Sequence, residues 1–141
     1  MRVLLDTCVL SELSKPRPDA RVHALVPRLQ ASRTFVSAIT LGELAFGVAR
    51  MPKSKRRTEL EAWLARMEER FAGHVLAVDA EVGRLWGERL AQAQRNGHTV
   101  APADGLIAAT AVRHGLTVLT RDTAPFAALG AAVADPWTAT D

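Results

Sequence analysis

Short apolar runs alternate with amphipathic stretches along this chain, and each change of period marks a change of element. Arg2 to Leu5 is an apolar run closed by Asp6-Thr7, the pattern of a buried strand delivering a helix cap. Thr7 to Ser14 reads as a short helix, stopped by Lys15-Pro16-Arg17-Pro18. Asp19 opens a second helix that sets Val22, Leu25, Val26 and Leu29 on one face. Thr34-Phe35-Val36 is a second strand, and Thr40 then starts a helix to about Arg50, ended by Pro52. Leu60, Trp63, Leu64 and Met67 recur at i, i+3, i+4 and i+7, so a long amphipathic helix spans about Lys53 to Phe71. His74 to Val78 is a third strand. Asp79 caps a helix with Val82, Leu85, Trp86 and Leu90 inward, and Asn96-Gly97 closes it. Pro102 begins another helix, with Asp104 in its first turn and Leu106, Ile107, Thr110 and Ala111 as its buried stripe. Leu116 to Leu119 is a fourth strand, Asp122 to Leu129 a short helix, and Ala131 to Val133 a last edge strand.

Strands alternating with helices predict an α/β fold: a short parallel β-sheet flanked by helices in three layers, α/β/α. No repeat, low-complexity tract or linker divides the 141 residues, so a single domain over 1–141 is expected. A hydrophobic fraction of 48% is too high for a disordered chain. The one cysteine, Cys8, excludes an intramolecular disulfide framework and a Cys-rich zinc site, and fits a reducing compartment. The run Val3-Leu4-Leu5 is cut by Asp6, which leaves no secretory signal, and no stretch approaches the ~20 apolar residues of a membrane span. The expected location is cytoplasmic, with no membrane partner.

The formal charge of +3 is mildly basic but unevenly placed. Arg50, Lys53, Lys55, Arg56 and Arg57 put five cations into eight residues with no acid among them. They are candidates to grip nucleic-acid phosphates; the alternative is a solvated turn entering the long helix.

Four acids carry the candidate chemistry. Ligands of open α/β sheets bind at the carboxyl ends of the strands. Asp6 follows the first strand directly, Asp122 follows the fourth, and Glu43 and Asp104 fall in the first turns of two helices. Each also has a structural reading: Asp6 and Asp122 as helix caps, Asp104 as a complement to a helix dipole, Glu43 as the partner of Thr40 in a capping box. Brought together, carboxylates ~5 Å apart repel by roughly 3 kcal/mol per pair at an effective dielectric of about 20. Such a group needs protons or a cation, and oxygen ligands alone suit Mg²⁺ or Mn²⁺.

Other acid-bearing sites are excluded by what is missing. A receiver domain needs a Lys on a late strand, and no Lys follows Lys55. A haloacid-dehalogenase phosphatase needs an Asp where Cys8 stands. Gly-x-Gly-x-x-Gly, P-loop and serine-elbow motifs are absent. His23, His74, His98 and His114 lack metal-ligand spacing, and only His98 precedes a candidate acid closely. The carboxylate beside Cys8 disfavours a thiolate, which argues against a nucleophilic thiol.

Four segments together carry a family likeness: Val3-Leu4-Leu5-Asp6-Thr7-Cys8-Val9-Leu10-Ser11-Glu12-Leu13, Ser37-Ala38-Ile39-Thr40-Leu41-Gly42-Glu43-Leu44, Asp104-Gly105-Leu106-Ile107-Ala108-Ala109-Thr110-Ala111 and Leu119-Thr120-Arg121-Asp122. In that order they resemble PIN-domain nucleases, and within these the VapC/FitB-like toxins of bacterial type II toxin–antitoxin pairs. The closing Asp135-Pro136-Trp137 looks like the FitB-like branch. The resemblance implies a PIN fold and a metal-dependent endoribonuclease whose acidic site is Asp6, Glu43, Asp104 and Asp122. It makes Asp6 and Asp104 the main Mg²⁺ (or Mn²⁺) ligands, with Thr7 and Thr120 supporting the acids through their hydroxyls. It implies an RNA substrate, a homodimer, and a small DNA-binding VapB-like antitoxin as partner. Two positions depart from the pattern. Cys8 stands where the family often has Asn, and Pro125 rather than an acid precedes Phe126, so the fourth acid rests on Asp122 alone. Two alternatives use the same fold, a non-catalytic nucleic-acid-binding module and a metal-dependent DNA nuclease.

Overall fold

Hydrophobic triplets become strands where both of their faces find helices to cover them. The structure is a computed structural model that describes residues 1–138; the last three residues of the expected domain lie outside the described residues. Its strands are β1 (Val3–Leu5), β2 (Thr34–Ser37), β3 (Val75–Leu76), β4 (Thr117–Leu119) and β5 (Ala132–Ala134). They pair in parallel in the order β3-β2-β1-β4-β5, with Leu4 opposite Phe35 on one side and Val118 on the other. The helices are α1 (Thr7–Leu13), α2 (Ala20–His23), α3 (Ala38–Ala49), α4 (Lys55–Arg70), α5 (Ala80–Arg95), α6 (Pro102–His114) and α7 (Thr123–Ala128).

The period of two along the strands sorts the core into two halves. Val3, Leu5, Val36 and Leu119 pack with Val9, Leu10, Val22, Met67, Phe71 and Trp137 on one face. Leu4 and Val118 pack with Ala93, Ile107, Ala108, Ala111, Phe126 and Leu129 on the other, joined there by Phe35. The expected three layers are thus formed, with α1, α2 and α4 over one face and α5, α6 and α7 over the other. Trp63 joins the first cluster and Trp86 the second, both partly buried. Trp86 comes so close to α6 that a Cβ on Gly105 would lie 2.7 Å from its Nε1. Gly115, at φ 65°, ends α6 in the left-handed conformation and turns the chain into β4.

Several boundaries differ from the expected ones for identifiable reasons. The second helix stops at His23, because Pro27 lies in a separate 3₁₀ turn, Val26–Arg28. Only Val22 of its expected apolar face is buried, while Leu25 and Leu29 pack from the edge. Helix α3 begins at Ala38 rather than Thr40, since the Ser37 hydroxyl accepts from the Ile39 N–H at 3.0 Å and caps it. Helix α4 begins at Lys55, capped by Ser54. The third strand pairs only over Val75–Leu76.

Candidate active site

The parallel sheet delivers β1 and β4 side by side, and the residue after each strand reaches the same edge. Asp6, just beyond β1, is 6% exposed, and its N–H donates to the Leu119 carbonyl at 3.0 Å. Its Oδ1 accepts from the Thr7 N–H at 2.8 Å, so the cap expected of it is real. Its Oδ2 accepts from the Thr120 hydroxyl at 2.8 Å and lies 3.5 Å from Cys8 Sγ. Capping engages one oxygen and leaves the other to face its neighbours across the sheet edge. Burial, assisted by the Asp6 charge, pushes the Cys8 thiol up, so the thiol serves as a weak donor rather than a nucleophile.

Glu43 departs from the capping-box reading. With Ser37 as the cap, Thr40 is fully buried and Glu43 falls in the second turn of α3 rather than the first. The Thr7 hydroxyl donates to Glu43 Oε1 at 2.6 Å and stands 3.2 Å from the Thr40 hydroxyl. Asp104 sits in the first turn of α6, behind Pro102, whose missing N–H costs nothing at that position. Burial first, and then the charges of Asp6, Glu43 and Asp122, push its carboxyl up to about 6. Asp122 precedes α7 without capping it; its N–H donates to the Thr120 hydroxyl at 3.1 Å. Its own carboxylate is exposed, free of the structural duty the sequence allowed it.

All four acids line one cleft of about 750 Å³, with Thr7 and Cys8 among its other walls. Asp104 and Asp122 also border an adjoining hollow of about 330 Å³, where His98 lies. Every acid in the cleft offers oxygen, the donor set of a hard divalent cation. Burial raises the proton affinity of Asp104, and the neighbouring acids that share its space raise it further. The acids are spread apart: among the described residues no three His, Cys, Asp or Glu side chains are drawn tightly enough to encircle an ion as they stand.

Glu12, Lys15, Arg121 and Trp137 also line the cleft, and the acid-centred reading of the sequence passed over them. The signal for Arg121 was its place between Thr120 and Asp122; Glu12, within α1, and Lys15, just beyond it, reach the cleft as an ion pair that the sequence did not announce. Arg50, Lys53, Lys55, Arg56 and Arg57 are not among the residues lining the cleft. Arg56 Nη2 donates to the Ser14 carbonyl at 3.2 Å and Arg57 Nη1 to the Met51 carbonyl at 2.7 Å, which ties the α3–α4 turn to its surroundings. Arg50, Lys53 and Lys55 are exposed.

A parallel sheet with four carboxylates gathered in one cleft at the carboxyl ends of its strands defines the class. The PIN domain model matches residues 3–131, and the chain belongs to that family. Over 136 residues it is 44% identical to the VapC ribonuclease Y4jK of Sinorhizobium fredii, covering 96% of this chain and 97% of that protein. Over 139 residues it is 41% identical to toxin FitB of Neisseria gonorrhoeae, covering 96% and 98%. The crystal structure of FitAcB from N. gonorrhoeae matches with a TM-score of 0.92 at 40% identity, covering 97% of this chain and 99% of that one.

Proposed function

We propose that this chain is a metal-dependent endoribonuclease and the toxin of a bacterial toxin–antitoxin pair. The observation that carries the nuclease reading is the meeting of Asp6, Glu43, Asp104 and Asp122 in one cleft, where burial and then the charges of the other three raise the proton affinity of Asp104. The ribonuclease and toxin names of its relatives support the activity and the biological role. Asp6 and Asp104 are the residues that would hold Mg²⁺ or Mn²⁺. A cation held there would supply a Lewis acid, able to lower the pKa of a water and to offset charge on the scissile phosphate.

The chain's own groups prepare that chemistry. Thr120 and the Thr7 N–H hold Asp6 in one orientation. Thr7 fixes Glu43 at the other wall, where its second oxygen can accept a proton from attacking water. Asp122 adds charge that opposes a bare polyanion, so RNA enters productively only with the cation. Water as the nucleophile leaves the 2′-OH unused, and the products carry a 5′-phosphate and a 3′-OH.

The partners belong to the same reading: RNA as substrate, a small DNA-binding VapB-like antitoxin, and a second copy of this chain. Phe46 on α3, 65% exposed, is a large apolar side chain such a homodimer would cover. Among the described residues no helix is long and apolar enough to cross a membrane.

The test is cleavage of labelled single-stranded RNA and DNA by the purified chain with Mg²⁺, Mn²⁺ or EDTA, beside Asp104→Asn. RNA cut only with metal and only by the unmutated chain is the expected result. DNA cut in preference makes it a DNA nuclease, and RNA bound but uncut with no Mn²⁺ uptake makes it a binding module.

A further inference from the structure

The carboxylate cleft presents a polyanionic substrate with a difficulty. Five acids line it against two cations, Lys15 and Arg121. Lys15 is committed, with its ammonium 2.8 Å from Glu12 Oε1, and that pair also receives the Asp19 N–H on Glu12 Oε2 at 2.9 Å. Arg121 is different. Its side chain is exposed, and among the described residues no carboxylate stands within ion-pair distance of its guanidinium.

What holds Arg121 is an aromatic face. Its guanidinium carbon lies 5.3 Å from the centroid of the Trp137 ring. Trp137 is itself 5% exposed and packed in the core, and its N–H donates to Asp135 Oδ1 at 2.8 Å. A guanidinium on a ring face keeps its N–H donors available in its own plane, the fork that matches a phosphate. The same residue joins Thr120, which holds Asp6, to Asp122. The fork is therefore placed at the wall of the acid cluster by the chain that builds the cluster.

We infer that Arg121, held over the Trp137 ring, binds a backbone phosphate of single-stranded RNA next to the one that is cut. The inference rests on the ribonuclease reading above. Trp137 acts through Arg121 and is a positioning residue. Lys15 cannot replace Arg121 without releasing Glu12.

The test is binding of a short labelled single-stranded RNA across a salt series, in the uncleaving Asp104→Asn background with Mg²⁺, together with cleavage kinetics in the otherwise unmutated chain. Arg121→Ala is expected to reduce the slope of log affinity against log salt by about 0.7, the share of one phosphate contact on a single strand. In cleavage it should raise KM about tenfold with kcat little changed, the loss of one charge-assisted bond. Trp137→Leu should reproduce the KM effect in part and Trp137→Phe should restore it, with melting curves checking that each variant is folded. Arg113→Ala, which removes an exposed partner of Glu81 at the far end of α6, is the control for loss of charge.

If RNA binds and the slope and KM of Arg121→Ala match those of Arg113→Ala, the inference falls while the ribonuclease reading stands. If the unmutated chain neither binds nor cuts RNA, both fall together.

Discussion

The Thr120 hydroxyl donates to Asp6 Oδ2 at 2.8 Å, a bond between residues 114 positions apart that fastens the end of β4 to the end of β1. The Thr120 hydroxyl oxygen also accepts from the Asp122 N–H at 3.1 Å, so one hydroxyl orients the first acid and shapes the loop that carries the fourth. Thr120→Val keeps the shape and removes both bonds. A buried carboxylate then loses a donor, and the fold should lose about 1–3 kcal/mol. Cleavage should fall about ten- to hundredfold, as when other partners of metal-binding groups are removed. Thermal melts and single-turnover rates check the two effects.

Asp104→Asn should separate stability from activity. The carboxylate is half-buried and opposed by Asp6, Glu43 and Asp122. Its neutral isostere relieves that opposition, so the metal-free protein should gain about 1 kcal/mol after allowance for solvent screening, or a few degrees in Tm. Cleavage should be lost in the same variant. Melting in EDTA beside an RNA cleavage assay reads both.

The pH dependence follows from the same group. An Asp with an ordinary value of 3.8 and a folded value of about 6 binds more protons folded than unfolded. Its contribution to stability is therefore full below pH ~4 and lost as pH rises through about 6. Melts in EDTA should show that decline, and Asp104→Asn should flatten it. Mn²⁺ competes with the proton, so its affinity should increase with pH across the same window; isothermal titration calorimetry measures it.

Gly105→Ala tests the packing behind the site. The added methyl would meet Trp86 Nε1 at 2.7 Å and Cδ1 at 2.8 Å, with Leu129 at 3.5 Å. The Trp86 indole must move, and among the described residues its buried N–H already lacks a partner. A destabilisation of about 1–3 kcal/mol is expected. Because residue 105 follows Asp104, cleavage should also fall, and denaturant titration with a rate measurement checks the pair of effects.

Arg57→Ala should act on stability. Its Nη1 donates to the Met51 carbonyl at 2.7 Å in a partly buried turn. Loss of that bond should cost about 1 kcal/mol. Lys53→Ala, at an exposed neighbour, should leave the melting curve where it is.

The sequence alone determined which segments are strands and which long stretches are helices. Period is written in consecutive residues: Val3-Leu4-Leu5 has no polar face to leave in water, and Leu60, Trp63, Leu64 and Met67 cannot share a face except on a helix. It also named the four acids and the two threonines, because motif order survives in one dimension. The tertiary structure decided the rest. Whether Glu43 returns to Thr40 depends on which groups stand nearer, and Ser37 and Thr7 settled it; Asp122 stands before α7 without capping it. Pairing of β1 with β4 brought Asp6 under Thr120. Burial and the field of three acids then raised the proton affinity of Asp104, and packing of the chain's end placed Trp137 beneath Arg121. Those are distances between residues remote in sequence, and electrostatic and stacking energies depend on distance in space, which no local pattern encodes.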